Sequence, residues 1–543
     1  MQLNPTIKST AITILIVIST SITKADELSR TDKLRVLYSN QFSFDRRGVP
    51  LITIGIAEGL SEVVIESELV LRVLPDGEDG SEVLAGKSWR VKLKKAKPAL
   101  VEHYVVLGQY PVNALAQMRK EMAAYKARGV RCRMIETGTI FGTKGQVYDN
   151  RDYVLVEGPY PTNDKAMQKA ETYVQKYGLS KVATISQLEK RPTAQLIAVD
   201  QKNATQINVH DAIWFAPSKE ERLFVRTNNQ KSQSYWGQIY VTVDQNGKLA
   251  VVNAVPADKL LAGLVPAEIF ASAPTEALRA QAVAARGDLL AKIGTRHLAD
   301  PYLICATQHC QVYRGAGFEH PRTTNAVTTT KGLVLVRADG RIVKALYSAA
   351  CGGHTEHNDQ VWPTEPDPNL RGHLDAYQKT GPFAHGINEQ NIEAWLNSHP
   401  QTWCGQSGVN QPKYRWTKKI SASQMAQLVE PLGIGQVKEI QVLARGHSGR
   451  ARLIEILGSQ ATKQVRGELK IRQLFGGLNS SMFTVLPIVG EAGFPSTFVF
   501  KGGGWGHGVG MCQSGAIGMA KSGQNFQQIL KHYYLASELK PLY

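Results

Sequence analysis

Between residues 33 and 100 apolar and polar positions alternate in short runs, KLRVLYS, LITIGIA, ELVLRVLP and SWRVKLKK, with Asp76-Gly77 and Asp79-Gly80 between them. A period of two broken by turn dipeptides predicts strands, so residues 26–100 are expected to form a small β domain. From 101 to 200 the pattern changes. The strand HYVVLGQYP precedes an amphipathic helix from Asn113 to Ala127; the strands RCRMIETG and RDYVLVEGPYP, a helix from Asn163 to Tyr177 and a last strand near Lys181 to Ile185 follow. This β-α-β-β-α-β order predicts one sheet with two helices on one face. The polar stretch DQKNATQIN reads as a linker, and beyond it YWGQIYVTV and LAVVNAVP predict a hairpin about Asn246-Gly247.

A helical period follows. Leu278, Ala282, Ala285 and Leu289 fall on one stripe, Ser272 and Thr275 are candidate N-caps, Pro274 suits the first turn, and Gly294 is a natural stop. Alanines at 277, 280, 282, 284 and 285 allow another backbone to come close, which predicts a buried central helix. Gln281 and Arg286 interrupt this small-residue face, either as surface groups or as ligands for something polar. Residues 415–487, with a helix from Ser421 to Leu428 and the strands VKEIQVLAR and ARLIEILG, read as an elaboration of the same unit. The fold class expected is therefore α+β, multi-domain and β-rich.

Composition adds an address. The first 25 residues carry Lys8, the apolar run Ala11 to Ile18 and then Thr23-Lys24-Ala25, the pattern of a secretory signal whose core is too short to span a bilayer. The formal net charge is +17. A basic exported chain seeks anions outside the cytoplasm, and lipid head groups and wall polymers remain after the lack of any nucleic-acid motif is noted. The tightest basic cluster, Lys92 to Lys97, reads as a solvated strand edge. Six cysteines in 543 residues exclude a disulfide scaffold.

The chemistry is densest from Leu264 to Gly315. Glu268 lies in the apolar run Leu264 to Phe270, where burial would favour the neutral acid and suit it to protonate a leaving oxygen; the alternative is that it only precedes and caps the next helix. His297, Cys305, His309 and Cys310 match the Cys2His2 set that zinc prefers, provided the chain turns at 309–310; the alternative is a Cys305–Cys310 disulfide with two incidental histidines. Cys351, His354, Glu356 and His357 make a competing cluster. If Cys305 and Cys310 hold a metal, Cys351 and Cys512, both in glycine-rich turns, are the expected pair. Gly502, Gly503, Gly504, Gly506, Gly508 and Gly510 allow positive φ and close approach to a ligand, offering Trp505 and His507 from a loop. Trp505 and Trp362 would stack on sugar faces and His507 would donate or relay a proton, unless the glycines serve only turns and Trp505 the core. Ser348, Gly352, Gly353 and Gln513, from the same motifs, join Gln281, Arg286, Trp505 and His507 as the expected substrate-binding set.

Four of these stretches, VPAEIFASAPTEALRAQAVAAR, CATQHCQVYRG, YSAACGGHTEH and GGGWGHGVGMCQSGAIGMA, make the chain from about Tyr235 to Tyr534 resemble the SpoIID/LytB family of exported peptidoglycan proteins. The β-α-β-β-α-β segment resembles a SPOR-type domain, which binds glycan strands lacking stem peptides. The layout then implied is a signal peptide at 1–25, a small β domain at 26–100, a SPOR-like domain at 101–200 and a SpoIID/LytB domain at 210–543. The resemblance implies a lytic transglycosylase acting on denuded glycan, with Glu268 as the catalytic acid. It also implies zinc at His297 to Cys310, as in some members, and a periplasmic or wall location. LytB-type members imply instead a noncatalytic enhancer of an N-acetylmuramoyl-L-alanine amidase. Two positions depart from the family pattern: Ile269-Phe270, where Met-Pro is common, and Gly287-Asp288, where an aromatic-containing run is usual. Hydrolysis rather than lytic cleavage would need a second carboxylate, for which Glu276, Asp288, Glu356 and Asp359 are candidates. Arg286 would meet the lactyl carboxylates of a peptide-free strand.

Overall fold

The computed structural model describes residues 37–543 except 42, 46, 76–82, 85, 178–181, 228–230, 363 and 491–492. The expected signal peptide and the turn dipeptides at 76–80 lie outside the described residues. The chain is a β-rich α+β structure of several sheets.

The run Leu249–Pro256 is buried at all but its last position, the mark of a strand with neighbours on both sides and cover on both faces. It pairs antiparallel with Gln238–Val243, closing the hairpin at Gly247, and with Pro50–Leu60. The sheet built on it runs Ser43–Phe44, Pro50–Leu60, Leu249–Pro256, Gln238–Val243, Ile213–Pro217, Leu71–Pro75 and Val83–Leu84, and Ile304–Cys305 adds in parallel beside Pro50–Leu60. A six-stranded sheet runs Gln206–His210, Thr193–Asp200, Ser88–Lys97, Glu62–Glu66, Leu223–Thr227 and Gln233–Tyr235.

Both sheets interleave strands from before residue 100 with strands from after 190. The strands expected to stand alone at 26–100 therefore share their sheets with 193–256, and the stretch read as a linker instead joins two paired strands. Alternation tells which face of a strand is buried but not which strand lies beside it. Lys92 to Lys97 pairs with Thr193–Asp200 on one side, but Glu62–Glu66 flanks it only at Lys92, so its other side is largely an edge, with Lys92, Lys94, Lys95 and Lys97 exposed.

The inserted segment has the expected order of strands and helices, with a further hairpin, Ile140–Thr143 and Gln146–Asp149. Its sheet runs Thr184–Lys190, Leu100–Pro111, Asp152–Tyr160, Cys132–Thr137, all antiparallel, over a core that includes Val105, Leu155 and Tyr173. Phe141 and Tyr148 of the hairpin stack at 5.5 Å and join the main core.

The helix Thr275–Lys292 lies in the middle of that core. Leu278, Ala282, Ala285 and Leu289 are wholly buried, but so are Ala280, Val283, Ala284 and Leu290 around the rest of its circumference. Small side chains let Pro321–Thr329, Gln513–Lys521 and Phe526–Tyr533 pack directly on it. A Cβ on Gly287 would sit 3.1 Å from the Val343 carbonyl oxygen, so this glycine is where the 343–345 segment presses closest. Neither Ser272 nor Thr275 caps the helix: Pro274 holds the N-cap position with no side-chain bond, and Thr275 is the first helical residue.

C-terminal to this, two three-stranded sheets, Arg415–Ser421 with Pro495–Gly503 and Phe483–Val489, and Val437–Arg445 with Ala451–Gly458 and Thr462–Arg466, enclose a second core of Phe475, Phe483, Phe498 and Phe500. Ser421 and Gln424 form a capping box on the helix Ala422–Val429. Among the described residues no helix is long and apolar enough to cross a membrane.

Candidate functional site

Glu268 is the last residue of the helix Ala257–Glu268. Leu260, Leu261, Leu264 and Val265 sink that helix into the core, and Pro266 and the short 269–274 connection leave the carboxyl half-buried at its end. It does not cap the next helix. Burial first, and then the negative charge of Asp288, push its pKa up to about 7; Lys292 and a hydrogen bond from the Val312 backbone N–H pull the other way. Near neutral pH such a group is present both as acid and as base.

The groups around it are buried and mutually bonded. Lys292 Nζ donates to Asp288 Oδ2 at 2.5 Å and to the Cys310 carbonyl at 2.9 Å, and Gln311 Nε2 donates to Asp288 Oδ2 at 2.6 Å. Tyr347 reaches Gln311 Oε1 with its hydroxyl at 3.3 Å. Gln513 Nε2 donates to the Glu268 carbonyl at 2.9 Å and to Gln281 Oε1 at 3.1 Å. Lys292, Gln311 and Tyr347 were not singled out in the sequence. The signal available was helical spacing, since Asp288 and Lys292 stand at i and i+4.

The other carboxylates considered are engaged elsewhere. Glu276 accepts from Arg279 at 2.8 Å and from the Phe526 N–H at 2.9 Å. Glu356 is buried and accepts from the Ser448 N–H at 3.1 Å and hydroxyl at 2.7 Å. Asp359 is paired with Arg371.

Several expected substrate contacts turn out to be internal. Arg286 is 0% exposed; its guanidinium donates to the Thr330 and Leu333 carbonyls at 2.9 and 3.0 Å and lies 3.6 Å from Asp258, so it closes the C-terminal end of Pro321–Thr329 and cannot meet a polymer. Gln281 is equally buried and orients Gln513, its own Nε2 unpartnered. Ser348 is buried with its hydroxyl unpartnered, in a short strand paired to Met511–Cys512. Gly352 and Gly353 have φ of +76° and +96°, and a Cβ on either would lie 2.9 Å from Gly503 and the Trp395 ring respectively, so both serve close packing. The half-buried Trp505 pairs its backbone with Ala350, and the Lys413 ammonium covers its ring 2.8 Å from the centroid. His507 packs on Trp362 with ring centroids 4.9 Å apart. Enclosure, helped by Arg450 and Arg472, pulls its pKa down to about 3; Nδ1 accepts the Val509 N–H at 3.0 Å, and the ring also bonds the Tyr347 backbone. It is a neutral, fixed ring, not the proton relay expected.

His297, Cys305, His309 and Cys310 converge, with one donor atom from each lying within 4.8 Å of the others. A turn closed by the Cys310 N–H on the Thr307 carbonyl at 3.1 Å bends the chain so that His309 and Cys310 face the same point. His297 Nε2 is 3.2 Å from Cys310 Sγ, and its Nδ1 is 2.7 Å from Asp300 Oδ2, an arrangement that fixes ring and tautomer as in metal sites. Cys305 is anchored by its strand to Pro50–Leu60. The donor set fits a tetrahedral divalent ion, and both thiols are free.

The second cluster expected, Cys351 with His354, Glu356 and His357, does not converge. His354 is buried against His447, His357 accepts the Gly372 N–H, and Glu356 turns to Ser448. Cys351 instead meets Cys512, as a neighbour with no S–S bond, together with Cys404 and Asp375.

Residues 245–336, from the hairpin through the central helix and the first thiol–imidazole cluster, match the family model for Stage II sporulation protein, SpoIID. Residues 356–510 match a domain of unknown function, DUF8618. The chain is 26% identical over 300 residues to the Amidase enhancer of Bacillus subtilis (strain 168), covering 51% of this chain and 40% of that protein. It is 27% identical over 317 residues to Stage II sporulation protein D of the same organism, covering 55% of this chain and 78% of that protein. It is 28% identical over 297 residues to the protein of that name from Bacillus amyloliquefaciens, covering 52% and 74%. This chain therefore spans less than half the length of the amidase enhancer it resembles. The family match and these relatives give the chain a SpoIID domain at residues 245–336 and, over about half its length, a likeness to the SpoIID and amidase-enhancer proteins.

Proposed function

We propose that this protein is an exported lytic transglycosylase that cuts peptide-free peptidoglycan strands between N-acetylmuramic acid and N-acetylglucosamine. The observation that carries the reading is Glu268, a half-buried carboxyl whose pKa lies near 7. Its protonated form donates to the bridging glycosidic oxygen as the C1–O bond breaks. The carboxylate left behind takes the proton of the sugar's own 6-hydroxyl, whose oxygen bonds to C1 and closes a 1,6-anhydro ring. No water is consumed. Asp288 favours this single-acid course, because its buried, Lys292-paired carboxylate is held away from solvent and keeps Glu268 protonated.

His297, Cys305, His309 and Cys310 would hold a zinc ion that supplies cross-linking and no chemistry at the glycan, since all four positions are protein donors. That clamp would fix the 305–312 segment, whose Val312 N–H touches Glu268. The inserted β-α-β-β-α-β segment would bring the same denuded strands to the site as a SPOR-like module.

A second reading, enhancement of an amidase without cleavage, is favoured by the similarity to the Amidase enhancer. Denuded glycan incubated with the purified mature protein and with Glu268→Gln distinguishes them. Anhydro-disaccharide ends, read by mass spectrometry, are expected from wild type and not from the variant; equal yield from both, or none from wild type, ends the transglycosylase reading.

A further inference from the structure

We infer that Cys351, Asp375, Cys404 and Cys512 form a second, closed zinc site, separate from the thiol–imidazole cluster. One donor atom from each lies within 4.8 Å of the others, and all four residues are buried, at 0, 0, 1 and 0% exposure. They come from four separated places: the turn after Tyr347–Ser348, a loop, the short helix Trp403–Gln406, and the N-cap of Gln513–Lys521. Three free thiols brought from so far apart to one dry point need a reason beyond packing.

The groups around them point to a cation. Backbone N–H donors are aimed at the sulfurs: Cys351 N–H and Gly515 N–H at Cys512 Sγ, 3.1 and 3.2 Å, and Gly353 N–H at Cys351 Sγ, 3.3 Å. Amides so placed favour thiolate over thiol, and the thiolate is the metal ligand. Asp375 divides its two oxygens. Oδ2 faces the cluster, 3.2 Å from Cys351 Sγ and accepting the Cys404 N–H at 3.0 Å. Oδ1 is turned outward to the Tyr533 hydroxyl at 2.8 Å and His532 Nε2 at 3.1 Å, the outer-shell support that metal-binding carboxylates have. Among the described residues no lysine or arginine forms an ion pair with Asp375, so a buried anion beside three thiols lacks a permanent counter-charge that a divalent ion would supply.

The spacing selects one ion. Zinc with sulfur at about 2.3 Å in a tetrahedron sets its ligands roughly 3.8 Å apart, a small contraction from what is seen, whereas a polynuclear cluster needs more room. Three soft sulfurs and one oxygen suit zinc over magnesium or calcium. Binding would release the thiol protons and leave no open coordination position, so the site is structural. It would pin Cys512, the residue before Gln513, which bonds the Glu268 carbonyl.

Elemental analysis of the full-length mature protein tests this without any assay of cleavage. With the first cluster removed by Cys305→Ser and Cys310→Ser, about one zinc per chain is expected to remain, and adding Cys404→Ser should remove it. Should the triple variant not fold, cobalt exchanged into the double variant reads the same site, with sulfur-to-cobalt charge-transfer absorption expected. Zinc-free double variant with no such band, or recovery of two of Cys351, Cys404 and Cys512 as a disulfide from unreduced protein, overturns the site. Glu268→Gln is expected to keep its full metal content, which separates failure here from failure of the transglycosylase reading.

Discussion

Gln513 donates its side-chain amide to the backbone carbonyl of Glu268 at 2.9 Å, across 245 positions of sequence. That carbonyl ends a helix and has no partner within it, so Gln513 supplies the missing donor and holds the turn on which the carboxyl is mounted. On the transglycosylase reading Gln513 is a positioning residue. Gln513→Leu is expected to lower kcat on denuded glycan roughly ten- to a hundredfold with KM nearly unchanged, measured as initial rates against glycan concentration. A rise in KM at constant kcat would place Gln513 on the substrate instead.

On the proposed mechanism the acid must be protonated to act, so activity should fall as pH rises through about 7. Asp288→Asn removes a charge that raises the Glu268 pKa and should move that falling limb to lower pH. His507, already neutral from a pKa of about 3 upward, should add no ionisation of its own between pH 5.5 and 8. Rate profiles of the wild type and Asp288→Asn check both statements.

The same shift affects stability. The folded-state pKa of Glu268 lies above its unfolded value of 4.5, so the folded form holds the proton more tightly, and its contribution is lost as pH rises through about 7. Glu268→Gln, which cannot ionise, should therefore match wild type near pH 4 and exceed it by about 1–3 kcal/mol at pH 8, read from denaturant melts.

Arg286→Met should destabilise the protein by about 3–5 kcal/mol, because it strips a buried guanidinium from the carbonyls of Thr330 and Leu333. Glycan affinity of the folded fraction should not change. Loss of affinity at unchanged melting temperature would restore Arg286 as a ligand.

Cys305→Ser with Cys310→Ser should release the 305–312 segment and lower the cleavage rate. Because the Val312 N–H favours the ionised carboxyl, its loss should also move the falling limb of the pH profile upward. A profile that keeps its midpoint would show that this segment does not reach the carboxyl.

The sequence made the chemistry legible where it is local. Glu268 in its apolar run and the His297 to Cys310 donors could be picked out because each signal occupies only a few residues. Non-local relations were hidden. Arg286 looked like a free cation because the carbonyls it serves lie 44 and 47 residues away. Cys404 carried no spacing clue, since its partners sit in three other segments, and His507 looked like a relay until its two backbone bonds appeared. Strand alternation predicted the strands near 50–60 and 249–256 correctly, but their pairing depends on an intervening module folding back on itself.

That pairing has a consequence for how the molecule is assembled. Pro50–Leu60 waits for Leu249–Pro256, nearly two hundred residues later, for its long ladder, so the sheet cannot close until nearly half of the chain has emerged. A fragment cut to the SpoIID match at 245–336 would carry Leu249–Pro256 as a bare apolar edge and lose the strand on which Cys305 docks. Here the amino-terminal strands are the floor on which the family's segment stands.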